Sequence, residues 1–315
     1  MRTFFTVITF YMPFFLISCI SNTTYQENLN ITRSGKLVFS VVYDNGTKQD
    51  IYTVVADGTE PKHLPTHLDN VGYPSWSPNG ENIAFSASQG EEFGIFIMLE
   101  DGSQVHSVTP QLFELGKSLE SNGVVIPQPD WHMDGHKIIF SFNGDIAILN
   151  VEDGTISKIL TDIYCNKAPK WSPDGIRFVF SSNRSGGWNS DQLYSATIAG
   201  KPVKQLTFYE DRISQINHTA LDWSPNGDWV AMRERGITLI KPEDKERKLL
   251  MEGEECPHGY ASFSPDGQWV VLACGQTKTN KASVYFYHLD LEILIKADIN
   301  FGTSISGFAG VDWAP

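Results

Sequence analysis

Apolar residues in this chain fall in short runs separated by turn-forming residues, not in long helical stripes. IAFSA from Ile83, KIIFSF from Lys137, RFVFSS from Arg177, WVAM from Trp229 and WVVLA from Trp269 are rich in β-branched and aromatic side chains. Runs of this length and make-up, bounded by Gly, Pro, Asn and Asp, predict strands. A second run follows each of them: GIFIML from Gly94, DIAILNV from Asp145, QLYSATI from Gln192, GITLIK from Gly236 and SVYFYHL from Ser283. Several of these turn through Asp-Gly, as at Asp101-Gly102 and Asp153-Gly154, into a shorter run such as SVTP from Ser107, SKILT from Ser157 or KQLT from Lys204. Only LFELGKSLES from Leu112 hints at a helical period.

The turn before each first run has its own chemistry. Ser-Pro-Asp/Asn-Gly stands at Ser77 to Gly80, Ser172 to Gly175, Ser224 to Gly227 and Ser264 to Gly267, with a degenerate copy from His132 to Gly135. Pro presets φ at the first central position, Asp or Asn suits the second and Gly accepts the left-handed exit, which predicts a type I turn closing a tight hairpin. The aromatic residue entering the turn recurs as Trp76, Trp131, Trp171, Trp223, Phe263 and Trp313, at separations of 55, 40, 52, 40 and 50 residues. Four antiparallel strands per repeat of that length make one propeller blade.

The two ends of the pattern are complementary. GKLVFSVVY from Gly35, QDIYTVVADG from Gln49 and PKHLPTH from Pro61 match the second, third and fourth strands of a blade with no first strand before them. At the other end, GFAGVDWAP from Gly307 is a first strand followed by nothing. Exposed strand edges invite aggregation, so the missing strand is expected from the far end of the chain. The predicted fold is all-β: a six-bladed β-propeller of four-stranded antiparallel blades, closed by pairing residues 307 to 313 with the N-terminal blade. The alternative is an open stack with an apolar strand pair bare at each end.

The repeated W-S-P-D/N-G, the apolar strand after it and the Asp-Gly exit resemble the WD-like repeats of the TolB propeller family, over residues 35 to 315. The resemblance implies a binding scaffold of the bacterial envelope whose partner is another envelope protein. It is specific for fold and not for activity. In place of the family's N-terminal α/β domain stand residues 1 to 34, which read differently.

MRTFFTVITFYMPFFLISC opens with Arg2 and runs apolar from Thr3 to Ile17, the pattern of a secretory signal, short for a membrane span and interrupted by Pro13. Leu16-Ile17-Ser18-Cys19 resembles the bacterial lipobox, which implies cleavage before Cys19 and acylation there. An ordinary signal peptide that happens to contain a cysteine is the other reading. Ile20, where inner-membrane retention would place Asp, resembles the outer-membrane default. Residues 1–18 are thus expected to be a lipoprotein signal peptide, 19–34 a lipidated tether and 35–315 the propeller, exported and held on the periplasmic side of the outer membrane as a monomer.

A formal net charge of -13, with no run of Lys and Arg, excludes the phosphate-neutralising surface that nucleic-acid binding needs. No Gly-x-Ser-x-Gly elbow, P-loop, His-Glu-x-x-His or dinucleotide fingerprint occurs, and a chain ending at residue 315 is read as carrying no peptidase domain after the propeller.

Candidate chemistry comes from register. Five residues before the turn aromatic stand Asn166, His218 and His258 in successive blades, where they either hydrogen-bond the strand starts or hold a transition metal or an anion at the channel mouth. One residue before the aromatic, Asp130, Asp222 and Asp312 recur in alternate blades, either capping backbone amides or drawing calcium into the channel. No cofactor is required by either reading. In a polysaccharide-active lyase or hydrolase, His218 and His258 would be base or metal ligand and Asp222 the orienter. The irregular loops, with Phe113, Arg184, Trp188 and Tyr209, are expected on the face opposite the Ser-Pro-Asp-Gly turns and are the candidate surface for a protein or glycan partner. Cys256 and Cys274 flank one hairpin, with Cys274 expected opposite about position 257, so a disulfide between them is open to geometry.

Overall fold

The computed structural model describes residues 32–90, 92–109, 126–185, 191–208, 219–234, 236–257, 259–276 and 281–314. Residues 33–315 form one compact unit. Its strands are β1 (Lys36–Tyr43), β2 (Lys48–Val55) and β3 (Lys62–Leu64) in blade 1, and β4 (Asp69–Trp76), β5 (Asn82–Gln89), β6 (Glu92–Leu99) and β7 (His106–Ser107) in blade 2. Blade 3 holds β8 (Asp130–Trp131), β9 (Lys137–Phe142), β10 (Asp145–Asn150) and β11 (Ile156–Leu160), and blade 4 holds β12 (Asn166–Trp171), β13 (Arg177–Ser182), β14 (Gln192–Thr197) and β15 (Lys204–Gln205). Blade 5 holds β16 (Thr219–Trp223), β17 (Val230–Arg233), β18 (Gly236–Ile240) and β19 (Arg247–Glu252); blade 6 holds β20 (Tyr260–Phe263), β21 (Trp269–Gln276), β22 (Lys281–His288) and β23 (Ile293–Ala297). The last strand, β24 (Ile305–Ala314), completes blade 1 in the order β24-β1-β2-β3.

All six sheets are four-stranded and every ladder is antiparallel. The innermost strands β24, β4, β8, β12, β16 and β20 contact one another in that order, and β20 returns to β24. The ring is therefore closed, and the C-terminal strand closes it as the repeat register predicts.

Each hairpin turn is built from its own side chains. In the first, the Gly80 amide donates to Ser77 O at 2.8 Å and Gly80 takes φ 70, while the Asn82 amide donates to Ser77 Oγ at 2.9 Å. The same serine bond recurs at Ser172, Ser224 and Ser264. In the degenerate copy, His132 Nδ1 accepts from the Asp134 amide at 3.2 Å, and its Nε2 lies 3.1 Å from Gly175 O in the next blade.

Core packing lies between blades as well as within them. Val38, Ile51 and Leu64 of blade 1 pack with Val71, Ile83 and Phe85 of blade 2, and similar mixed clusters join the later pairs. Blade 6 meets blade 1 through Phe286 and Trp313, whose rings sit 5.6 Å apart, edge to face.

Cys256 and Cys274 are disulfide-bonded with Cα atoms 4.8 Å apart. The register differs from the one expected from sequence: Tyr260 pairs with Ala273, which puts Cys274 opposite Gly259 and not opposite residue 257. The bond reaches back to the turn after β19, where the Cys256 amide donates to Glu252 O. It closes a separation of 18 residues, and a loop of that size is worth about 3 kcal/mol. Adding reductant, or replacing both cysteines by Ala, is expected to lower the melting temperature by several degrees in scanning calorimetry; an unchanged transition would show that the bond contributes nothing.

Candidate functional site

Every innermost strand enters its turn through an aromatic residue, so positions are counted back from it. One residue before it, in blades 1 to 6, stand Asp312, Ser75, Asp130, Lys170, Asp222 and Ser262. Three before it stand Gly310, Tyr73, Gln128, Ala168, Ala220 and Tyr260. Residues two apart on a strand share a face, and here Asp312, Ser75, Asp130 and Asp222 line one end of the central channel and Gly310, Tyr73, Gln128, Lys170 and Tyr260 the other.

An innermost strand is a sheet edge, so its channel-side amides have no ladder partner and need another acceptor. The aspartates of blades 1, 3 and 5 supply it across to the next blade. Asp312 Oδ2 accepts from the Trp76 amide at 2.6 Å, Asp130 Oδ2 from the Trp171 amide at 2.7 Å and Asp222 Oδ2 from the Phe263 amide at 2.8 Å. Each of these aspartates thus caps an amide of the neighbouring blade, and Asp222 Oδ1 also accepts from the amide of Trp223 in its own blade.

The cation among them comes from the chain itself. Lys170 Nζ lies 2.9 Å from Asp130 Oδ1, with the two side chains 17% and 15% exposed. Burial opposes its charge, yet Asp130, Asp312 and Asp222 together hold the ammonium above the ordinary lysine value. Desolvation, followed by the charge of Asp312, pushes Asp222 up to about 7 against the pull of Lys170. Desolvation also raises Asp312. Among the described residues no group of three His, Cys, Asp or Glu side chains is placed to hold a metal ion.

The channel has two unlike ends. On the turn side a cavity of about 210 Å³ is walled by Trp76, Trp131, Trp171, Trp223 and Trp313 above the three aspartates. On the loop side a throat of about 50 Å³ is lined by Tyr73, Tyr260, Gln128 and Arg233, with Lys170 beneath. The Tyr73 and Tyr260 rings meet edge to face at 6.1 Å, and the Arg233 guanidinium carbon sits 5.7 Å from the Tyr260 ring centre. Burial, then the neighbouring Tyr260 phenol, pushes Tyr73 above the ordinary tyrosine value. The acidic end and the basic, phenolic end are thus separated by one lysine. A larger polar groove of about 420 Å³ lies apart from the channel, between Tyr43, Asp44, Lys48 and residues 303–306.

Of the other residues singled out from sequence, Asn166 and Arg184 come together. Asn166 Nδ2 donates to Gly144 O at 2.9 Å and Asp162 Oδ1 at 3.0 Å, and its Oδ1 accepts from Arg184 Nη2 at 2.8 Å. Arg184 also pairs with Asp162 at 2.9 Å and lies 4.9 Å from the Tyr194 ring centre. Asn166 is fully buried and, with Arg184, braces the entry to blade 4. Cys19, Phe113, Trp188, Tyr209, His218 and His258 lie outside the described residues.

Lys170 and Ser262 stand in the same register position as the aspartates, but sequence reasoning gave them no role. It also passed over Tyr73 and Tyr260, two residues earlier on the same face. Extending the register count two residues back along that face would have found Tyr73 and Tyr260.

A family model described as the TolB beta propeller domain matches residues 116–300. The uncharacterized peptidase YuxL of Bacillus subtilis is 26% identical over 227 residues, which is 69% of this chain and 31% of that protein. The chain therefore spans about a third of that curated relative's length. Among solved structures, TolB from Acinetobacter baumannii superposes with a TM-score of 0.69 at 20% identity, over 94% of this chain and 71% of that one. A chain of the nidogen/laminin complex superposes with a TM-score of 0.63 at 11% identity, over 90% and 99% respectively. Likeness at these identities shows the propeller fold.

Proposed function

The chain belongs to the TolB beta-propeller family, and on that premise we propose that it is a non-catalytic scaffold of the bacterial envelope that binds another envelope protein through its loop-side face. In this reading it is exported and anchored by a lipid on Cys19. The observation that carries the binding role is the loop-side throat. Tyr73 and Tyr260 offer rigid amphipathic rings beside a guanidinium, and Tyr and Arg are the residues most enriched at the energetic centres of protein interfaces. Below them the throat is only about 50 Å³ with Lys170 at its floor, a depression that fits one or two partner side chains. A catalytic reading would ask Asp222 to orient a base, but both of its oxygens accept amide hydrogens, from Trp223 and Phe263.

Site-specific photo-crosslinking in cells tests the face. A crosslinker at position 260 is expected to give a discrete protein adduct, and one at Met133, 60% exposed on the turn side, none. Arg233→Glu is expected to cut the adduct by about tenfold, the scale of a reversed interface charge. Cys19→Ser should abolish fatty-acid labelling and release the protein from membranes. Equal adducts from both faces, or adducts removed by glycan-degrading enzymes, would overturn the protein-binding reading.

A further inference from the structure

The hydrogens around Ser262 do not add up when every neighbour carries its ordinary charge. Ser262 Oγ lies 2.8 Å from Asp222 Oδ2 and 3.2 Å from Asp312 Oδ1, and it accepts from the Trp313 amide at 3.2 Å. A hydroxyl has one hydrogen to give. With both carboxylates ionised, one of them receives that hydrogen and the other faces a serine lone pair. Asp222 Oδ2 already accepts from the Phe263 amide, and the Asp312 carboxylate takes the backbone amides of Trp76 and Trp313, so neither aspartate offers a hydrogen to Ser262 while ionised. Ser262 is 1% exposed, so its hydroxyl is left to these protein partners, while the two carboxylates border the turn-side cavity.

One added proton repairs the whole set. With a hydrogen on Asp312 Oδ1, the acid donates to Ser262 Oγ and Ser262 donates to Asp222 Oδ2. Ser262 then uses both lone pairs, for the acid and for the Trp313 amide. Meanwhile Asp312 Oδ2 keeps the Trp76 amide and Asp222 keeps those of Trp223 and Phe263. The three side chains come from β24, β16 and β20, so this chain of hydrogen bonds ties the ring-closing strand to blades 5 and 6.

We propose that Asp222, Ser262 and Asp312 bind one proton as a unit at neutral pH and act as a pH-sensitive latch on the closing strand. The other charged groups along the channel do not supply that proton. Lys170 on β12 is engaged with Asp130 on β8, and Arg233 on β17 with Tyr73 and Tyr260 lie towards the loop-side end. The proton belongs to the pair of carboxyls and not to either alone.

The direction of the pH effect follows from linkage. Burial and the charge of Asp312 hold the Asp222 carboxyl up at about 7, against 3.8 for an ordinary aspartate, and burial raises Asp312 as well. The latch's contribution is therefore whole below the ordinary value, declines as pH rises and is lost as pH passes through about 7.

Asp312→Asn tests it, because an amide nitrogen donates to Ser262 at every pH while the amide oxygen still accepts from Trp76. Folding stability of the wild type relative to this variant is expected to fall with rising pH, by up to about tenfold in the folding equilibrium per pH unit, and to level off above about pH 7. Taking the difference cancels the titration of carboxylates away from the channel. Infrared spectra of the wild type should show one neutral carboxyl at about pH 6 that disappears by about pH 8, since two pH units span most of a single titration. Parallel loss of stability in the two proteins, or no neutral carboxyl in the wild type at the lower pH, would overturn the proposal; the spectrum decides even if the variant does not fold.

Discussion

Deleting residues 307–315 is expected to unfold the whole propeller, not to fray one blade. β24 pairs with β1 from Lys36↔Ala314 to Tyr43↔Ile305, so its loss strips the inner edge from blade 1. Phe308, Val311 and Trp313 are 6%, 8% and 6% exposed, and burying side chains of that size is worth about 1.5–3 kcal/mol each. Three of them amount to about 5–9 kcal/mol, as large as the total stability of many domains. Further losses add to this: Trp313 Nε1 donates to Ser34 O at 2.8 Å, Asp312 holds the Trp76 amide, and Gly310 lets β24 pass so close to β4 that a Cβ there would lie 2.6 Å from Pro74. Circular dichroism should show no cooperative melting in the truncated protein. A synthetic peptide spanning residues 303–315, added in excess, is expected to restore it, because the ring needs the strand and not its covalent link. A truncated protein that melts like the full chain would contradict closure.

The closure was legible because it rests on a period. An aromatic residue, a Ser-Pro-Asp/Asn-Gly turn and an apolar run recur often enough to reveal a missing first strand at one end and a spare one at the other. The disulfide partners were legible as neighbours, but their register was not. A count from the turn assumes both strands stay paired to their ends, whereas Cys256 leaves the ladder and sits in the turn after β19. The aspartates were legible as a set and misleading as individuals. Aspartate beside a turn ordinarily caps that turn, so nothing local points to an amide some 40 residues on, as from Asp130 to Trp171 or from Asp222 to Phe263. That contact exists only once two blades are side by side. Asn166 shows the same limit: its strand position is channel-like, but its side chain turns to Gly144 O and Arg184, groups set by the neighbouring loops. Charge balance inside the ring was likewise hidden until Lys170 was seen among three carboxylates.

Lys170→Met is expected to destabilise the propeller by about 3–5 kcal/mol at neutral pH, the usual cost of removing one partner from a buried charge pair. Met keeps much of the volume and the apolar stem, so the loss is electrostatic. Lys170 is the partner of Asp130 at 2.9 Å, and its charge opposes the rise at Asp222 and Asp312. Without it, three carboxylates converge on the channel, and Asp222 and Asp312, already raised by burial, lose the positive charge that opposes the rise. Raised carboxyl values in the folded state give stability that is present at low pH and lost as pH rises, so the defect should shrink on acidification and grow on the alkaline side. Thermal melts from about pH 5 to about pH 8 should therefore show the variant gaining on the wild type as pH falls. Pairing the change with Asp130→Asn separates charge from packing. The double variant should be more stable than Lys170→Met alone, because one uncompensated carboxylate has gone, while its amide nitrogen has no lysine to repel. If the second change adds its own cost, Lys170 acts by filling space, and the charge balance of the ring does not govern how its blades are held together.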